Sequence, residues 1–267
     1  MIAIPISIVV IFIVYLFLVA PKNRKEMKDF KNVMYAHRGL HNSERAENSM
    51  SAFKAALDAG YGIELDIRLS KDGKLVVFHD DTLDRVCGRE GKVIDFTAEE
   101  LSGFSLSGTS DTIPLFSDVL SLVDGKIPLL VEIKENPGDS TVSEAACKML
   151  SEYHGPYIVE SFNPLSLRVV KKNMPKVTRG ILSHCYYEYK QFKKPLYFLL
   201  QTLLFNFLCR PAFIAYDHRH ANCFSLRFVR KFFGVPTLAW TVRSAEDEKI
   251  ASKNGFDGII FENYIPD

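Results

Sequence analysis

The chain has 267 residues, 47% of them hydrophobic and 24% charged, and a formal net charge of +1. That composition argues against global disorder, and the balanced charge argues against nucleic-acid binding, which usually demands a basic face. The five cysteines, Cys87, Cys147, Cys185, Cys209 and Cys223, are scattered and contain no C-x-x-C pair, so a zinc site and a disulfide scaffold are both disfavoured.

The first element is "MIAIPISIVVIFIVYLFLVA", with no charged side chain. As one helix it would span about 30 Å, the thickness of a bilayer's hydrocarbon core. No basic segment precedes it, and Pro21 makes a poor cleavage junction, so we expect an uncleaved transmembrane anchor over 1–21 rather than a signal peptide. Lys22, Arg24, Lys25, Lys28 and Lys31 follow in a basic linker, 22–32. By the positive-inside tendency they put the remaining domain, 33–267, on the cytoplasmic side of the cell membrane as a single-pass protein.

Strand candidates then run Val33–Ala36, Ile63–Leu69, Leu75–His79, Ile127–Ile133, Tyr157–Ser161, Arg179–Ser183, Phe213–Tyr216, Thr237–Val242 and Gly258–Phe261. Helical patterns lie between most of them. In "ENSMSAFKAALDAG", Asn48 or Ser49 is a cap, Met50, Phe53 and Leu57 share a face, and Gly60 is a stop. "FSLRFVRKFFG" and "SAEDEKIASKNG" have the same grammar. The alternation predicts a parallel sheet, open or closed. A closed (β/α)8 barrel has one slot fewer than these candidates. "SKDGK" is too short for a parallel crossover and reads as a hairpin, so one of the two strands it joins is a rim addition. Residues 80–125 form a Gly/Ser/Thr-rich excursion over one end. The apolar stretch 195–208 is short for a span and reads as a barrel helix or as an interfacial helix.

Several of these strands carry charge. In "IELDIR", Glu64, Asp66 and Arg68 share one face; in "LLVEIK", Glu132 and Lys134 do. Acids are costly in a strand buried on both sides unless something cationic holds them. Glu64, Asp66 and Glu132 suit a hard divalent cation such as Mg²⁺ or Ca²⁺, with Mn²⁺ also open; a set of salt bridges among Glu64, Asp66, Arg68 and Lys134 is the structural alternative. His37 and His79 each follow an apolar run and precede a charge, Arg38 and Asp80. Strand ends are where a barrel collects catalytic groups. Two imidazoles suit general acid and base work, Arg38 offers a fork for phosphate, and Lys134 a point charge. Together these are the ingredients for hydrolysing a phosphodiester on a divalent metal. His41, His154, His184, His218 and His220 read as surface or structural.

The run "AHRG…RAENSMSAF…GIELDIRLSKDGKLVVFHDDTLDR…LLVEIK…AWTV…GFDGII" resembles the glycerophosphodiester phosphodiesterase family from about residue 33 to the C-terminus. The resemblance implies a TIM barrel of the phospholipase-C-like phosphodiesterase type, one divalent cation, and hydrolysis of glycerophosphodiesters to glycerol 3-phosphate and an alcohol. It implies His37 and His79 as the acid/base pair, Arg38 as a phosphate clamp, Glu64, Asp66 and Glu132 as metal ligands, Lys134 as a phosphate contact, and Trp240 as the aromatic shaping the glycerol end. The chain departs from the family pattern at Ala46, where Pro is usual, at Leu115–Asp118, at Arg243 and at Phe261–Tyr264. Rival readings are a lysophospholipase D-like or phospholipase C-like enzyme with the same centre, and a non-catalytic, membrane-tethered phosphodiester binder.

Overall fold

The structure is a computed structural model that describes residues 6–22, 27–136 and 138–266. Nine strands make up its sheet: β1 (Met34–Ala36), β2 (Gly62–Leu69), β3 (Leu75–Val77), β4 (Leu129–Ile133), β5 (Tyr157–Ser161), β6 (Arg179–Ser183), β7 (Phe213–Asp217), β8 (Thr237–Val242) and β9 (Gly258–Phe261). Their order is β1-β9-β8-β7-β6-β5-β4-β2-β3, and a further β1–β2 pairing closes the ring. All strands of the ring run parallel, while β3 pairs antiparallel with β2 through Ile67↔Val77. The "SKDGK" hairpin thus disposes of the surplus strand, and the rest is a closed (β/α)8 barrel.

The helices are α1 (Ile6–Val19), α2 (Met50–Ala59), α3 (Asp84–Cys87), α4 (Ala98–Ser102), α5 (Phe116–Val123), α6 (Thr141–Leu150), α7 (Pro164–Asn173), α8 (Pro195–Gln201), α9 (Asn206–Cys209), α10 (Phe224–Phe233) and α11 (Ala245–Lys253). Local chemistry sets the ends of α2. The Ser49 hydroxyl accepts from the Ala52 amide, and Gly60 takes the left-handed conformation at φ 77°, where a side chain would be strained.

Strand alternation sorts the core into layers. Ile63, Leu65, Ile67, Leu129, Val131 and Ile133 face outward, against the helices. Tyr35, Leu130, Ile158, Leu182, Phe213 and Leu238 fill the barrel's interior, with Met27 fully buried among them. Met27 and Phe30 fall in the stretch expected to be a linker; instead they pack against the barrel's interior cluster. The 80–125 excursion has its own small core, with Leu83, Val86, Leu101 and Phe104 packed on Val76 and Phe78.

Two expectations change. Among the described residues no helix is long and apolar enough to cross a membrane. Helix α1 has 14 residues, about 21 Å at the rise of an α-helix, not the span expected of 1–21. Residues 1–5 of that span, and Arg24 and Lys25 of the linker, lie outside the described residues. The apolar stretch 195–208 is not one helix either: it breaks after Gln201 and resumes at Asn206.

Candidate active site

The charged layer sits above the apolar floor, at the C-terminal ends of the strands. Register explains the grouping: Asp66 on β2 pairs with Glu132 on β4, and Glu132 with Glu160 on β5. Glu64, two residues below Asp66, points to the same interior face. Each of Glu64, Asp66 and Glu132 is buried, and each offers a carboxylate oxygen within 4.8 Å of the others. Oxygens that ligate one hard cation at about 2.0–2.6 Å lie at most about 4–5 Å apart, so this spacing is compatible with a single ion.

The electrostatics separate the three. Burial, then the charges of Asp66 and Glu132, raise Glu64 well above the ordinary carboxylate range. Burial likewise pushes Glu132 up to about 7 despite Lys134. Burial works against ionisation of Asp66 too, but Lys134, His79 and Arg38 outweigh it and hold its pKa well below the usual value. Two acids that resist ionising beside one that is firmly anionic form a donor set short of positive charge. A divalent cation fits that deficit.

Cations ring the triad. Lys134 Nζ lies 2.7 Å from Glu132 and 3.2 Å from Asp66, and Arg38 Nε lies 3.4 Å from Asp66. Arg38 stands just past β1 in the left-handed region, φ 56°. Its amide there donates to Glu64 at 2.9 Å and its guanidinium to Glu47 at 2.7 Å. Gly39 completes the turn at φ 81°; a Cβ on it would lie 2.9 Å from the Ala52 backbone of α2. Arg68, read as sharing the acids' face, turns aside to the His79 carbonyl at 2.9 Å and to Asp81 at 3.6 Å.

The two histidines are built alike. His37 Nδ1 lies 2.8 Å from Glu262, and His79 Nδ1 lies 2.5 Å from Asp80. An arginine backs each carboxylate: Arg243 reaches Glu262 at 3.2 Å and Arg85 reaches Asp80 at 2.6 Å. Nε2 of each ring is therefore the nitrogen left for a substrate, and on His37 it lies 4.0 Å from Glu64. Burial lowers the pKa of both imidazoles, that of His79 to about 4, with Lys134 and Arg38 adding to the effect on His79. Trp240 stands farther round the rim, 5.5 Å from the Phe162 ring, which lies under Lys134.

All the site residues expected from sequence, His37, Arg38, Glu64, Asp66, His79, Glu132, Lys134 and Trp240, face this one end of the barrel. Sequence reasoning missed their supports. Asn48, read only as a helix cap, donates to Asp66 at 2.8 Å. Glu47 ties Arg38 to Arg85. Glu262 carried a usable signal, since it follows "GIIF" as His37 follows "VMYA". Glu262→Gln is expected to lower kcat by at least about tenfold, because the amide loses the charge that orients and supports the imidazole. An unchanged kcat would show that Glu262 merely packs.

On a (β/α)8 scaffold, a triad suited to a cation, positive charges beside it and oriented imidazoles are the groups that phosphoric diester hydrolysis needs, and they define the class of enzyme. Residues 37–265 match the model of the glycerophosphoryl diester phosphodiesterase family. A glycerophosphodiester phosphodiesterase of Caldanaerobacter subterraneus is 34% identical over 249 residues, which cover 87% of this chain and 95% of that one. A Thermotoga maritima glycerophosphodiester phosphodiesterase structure is 27% identical with a TM-score of 0.64, over 86% of this chain and 94% of that one. The structure of an Oleispira antarctica phosphodiesterase in complex with the product sn-glycerol-3-phosphate shares the fold: TM-score 0.70 at 23% identity, over 87% and 94%. The chain belongs to the glycerophosphoryl diester phosphodiesterase family.

Proposed function

We propose that this protein hydrolyses glycerophosphodiesters to glycerol 3-phosphate and an alcohol with one divalent cation, Mg²⁺, Ca²⁺ or Mn²⁺, held by Glu64, Asp66 and Glu132. The observation that carries the reading is the buried carboxylate triad with two carboxylate-backed histidines beside it. When bound, the cation supplies a Lewis acid for a phosphate oxygen. Arg38 and Lys134 bind the phosphate and share its growing negative charge. One imidazole takes the proton of the attacking oxygen as the new P–O bond forms. The other donates a proton to the alkoxide that leaves as the old P–O bond breaks. Trp240 and Phe162 shape the end that receives the glycerol.

The test is release of glycerol 3-phosphate from glycerophosphocholine, abolished by a chelator and restored by Mg²⁺, Mn²⁺ or Ca²⁺. No turnover with any of the three would overturn the reading and favour a binder. A lysophospholipase D-like activity is the second reading. The exposed apolar side chains of α1 and α8, which would keep the barrel near lipid, favour it. Choline release from lysophosphatidylcholine exceeding that from glycerophosphocholine decides for it.

The apolar N-terminal segment, in the same proposal, attaches the protein to the cytoplasmic face of the cell membrane, where the basic residues after it meet anionic lipid headgroups. The support is the absence of charge from Ile6 to Val19 and the exposure of most of its side chains. Digestion of the barrel by protease added to intact cells would refute this topology.

A further inference from the structure

Exposed large hydrophobic side chains are not spread evenly over this molecule. Most belong to α1, α8 and α10. Consecutive residues Ile8 to Val14 of α1 are all exposed. At about 100° per residue they cover the whole circumference of the helix, more than the single stripe a flat protein partner would cover. The same helix is clamped at its C-terminal end. Asn206 donates to the Val19 carbonyl at 3.0 Å, and Arg210 donates to those of Phe17 and Ala20 at 2.7 and 3.0 Å.

Above that clamp α1 touches α10 through two ring pairs. Phe12 meets Phe232 at 6.5 Å and Tyr15 meets Phe228 at 5.1 Å. On α10, Phe224, Phe228 and Phe232 recur every four residues and form one ladder, with ring centroids 6.1 and 5.4 Å apart. Phe224 is 75% exposed and Phe232 54%. Arg227 and Lys231, both exposed, border the ladder. A groove of about 780 Å³ beside it carries Arg227, Arg230 and Lys231, and among the described residues Asp257 is the only acid lining it. Asp257 is already paired with Lys31 at 2.9 Å. The surface therefore offers apolar rings flanked by net positive charge.

We propose that α10, together with α1, lies in the headgroup region of an anionic phospholipid bilayer, its Phe ladder in the acyl boundary and Arg227 and Lys231 on lipid phosphates. Helices with this composition lie in the membrane plane. Cations on α10 cannot follow α1 into a hydrocarbon core, so α1 lies beside α10 and does not stand perpendicular to the membrane. Its length of about 21 Å agrees. Helix α8, with exposed Leu196 and Phe198 after Lys193 and Lys194, extends the surface: the Gln201 carbonyl at its end accepts from Ser225 of α10 at 2.9 Å. The segment that leads into α8 reaches the active-site rim, where His184 packs 6.0 Å from Trp240. The barrel mouth is thus held at lipid level. This inference rests on the membrane attachment proposed above and adds the surface that makes it.

The experiment uses the full chain with Trp240→Phe, so that one introduced tryptophan reports. Phe224→Trp, Phe232→Trp, Ile11→Trp and Glu99→Trp are each mixed with phosphatidylcholine vesicles with and without phosphatidylglycerol, carrying brominated acyl chains. Emission at 224 and 232 is expected to shift to shorter wavelength and lose intensity to the bromolipid, while that at 99 does not. Arg227→Glu with Lys231→Glu is expected to abolish the extra quenching that phosphatidylglycerol brings. Quenching at 11 but not at 224 or 232 overturns the docking surface and leaves the attachment standing. Quenching at no position overturns both. A blue shift without quenching, with a doubled mass by light scattering, overturns the inference in favour of a second copy of this chain. Hydrolysis of glycerophosphocholine by the unmodified protein is measured separately.

Discussion

Replacing His79 by Ala is expected to lower kcat by ~10²–10⁴-fold, the usual loss when a general acid or base is removed, with the folded structure unchanged. His37→Ala is expected to do the same. The fold survives because neither truncation strands a buried charge. Asp80 keeps Arg85 at 2.6 Å, and Glu262 keeps Arg243 and Asn263, each at 3.2 Å. The rings themselves are partly exposed, 17% for His37 and 31% for His79, so little packing is lost. The two groups serve one proton-transfer sequence, so the double variant should be little worse than either single one. The direction of the pKa shifts matters as well. Burial, Lys134 and Arg38 hold His79 at about 4, and a cation on the triad pushes the same way. The imidazole is then neutral through the physiological range and ready to accept a proton. The acid limb of the pH profile should fall below the ordinary imidazole region. Activity within about tenfold of wild type for either variant, with an unchanged melting temperature, sinks the assignment.

The barrel was legible because its signals are local. Apolar runs of four to seven residues alternate with helical patterns, and the "SKDGK" hairpin marks the odd strand. The acids were legible because a period of two places Glu64, Asp66 and Glu132 on the interior face, where an apolar residue is the cheaper choice. What was not legible depends on distance in the chain. Glu262 lies 225 residues from His37, and only closure of the ring, β1 against β9, brings them together. Arg243 meets Glu262 because β8 and β9 lie side by side, Val242 against Phe261. Asn48 shows a subtler failure. Its sequence context fits a helix cap, but the cap is Ser49, and the Asn48 amide is spent on Asp66. For the N-terminal segment, composition gave no helix length: among the described residues α1 covers 14 positions, short of the span expected of 1–21.

Removing the divalent cation should change stability in a way that separates the three acids. In chelated protein the pKa of Glu64 is well above 4.5 and that of Glu132 is about 7. A carboxyl whose pKa is raised by folding adds stability below its unfolded value, and loses it as pH rises through the folded one. The chelated protein should therefore weaken between about pH 4.5 and pH 7. Cation binding displaces those protons, so the gain from metal grows over the same interval. At a concentration of about a hundred times Kd the gain is ~2.7 kcal/mol, a rise in Tm of roughly 5–10 °C for a chain of this size. Glu64→Gln should abolish both this response and turnover, yet leave the chelated protein as stable as before or more so. The amide replaces a carboxyl that folding keeps protonated, and it can still accept from the Arg38 amide. Asp66→Asn should also abolish both, but it costs the chelated protein about 1–3 kcal/mol. It takes a negative charge from between Lys134 at 3.2 Å and Arg38 at 3.4 Å. Thermal denaturation of the two variants, with chelator and with Mg²⁺, reads the difference. Equal destabilisation of both would mean that the triad is a structural salt-bridge network, with Glu64 as anionic as Asp66.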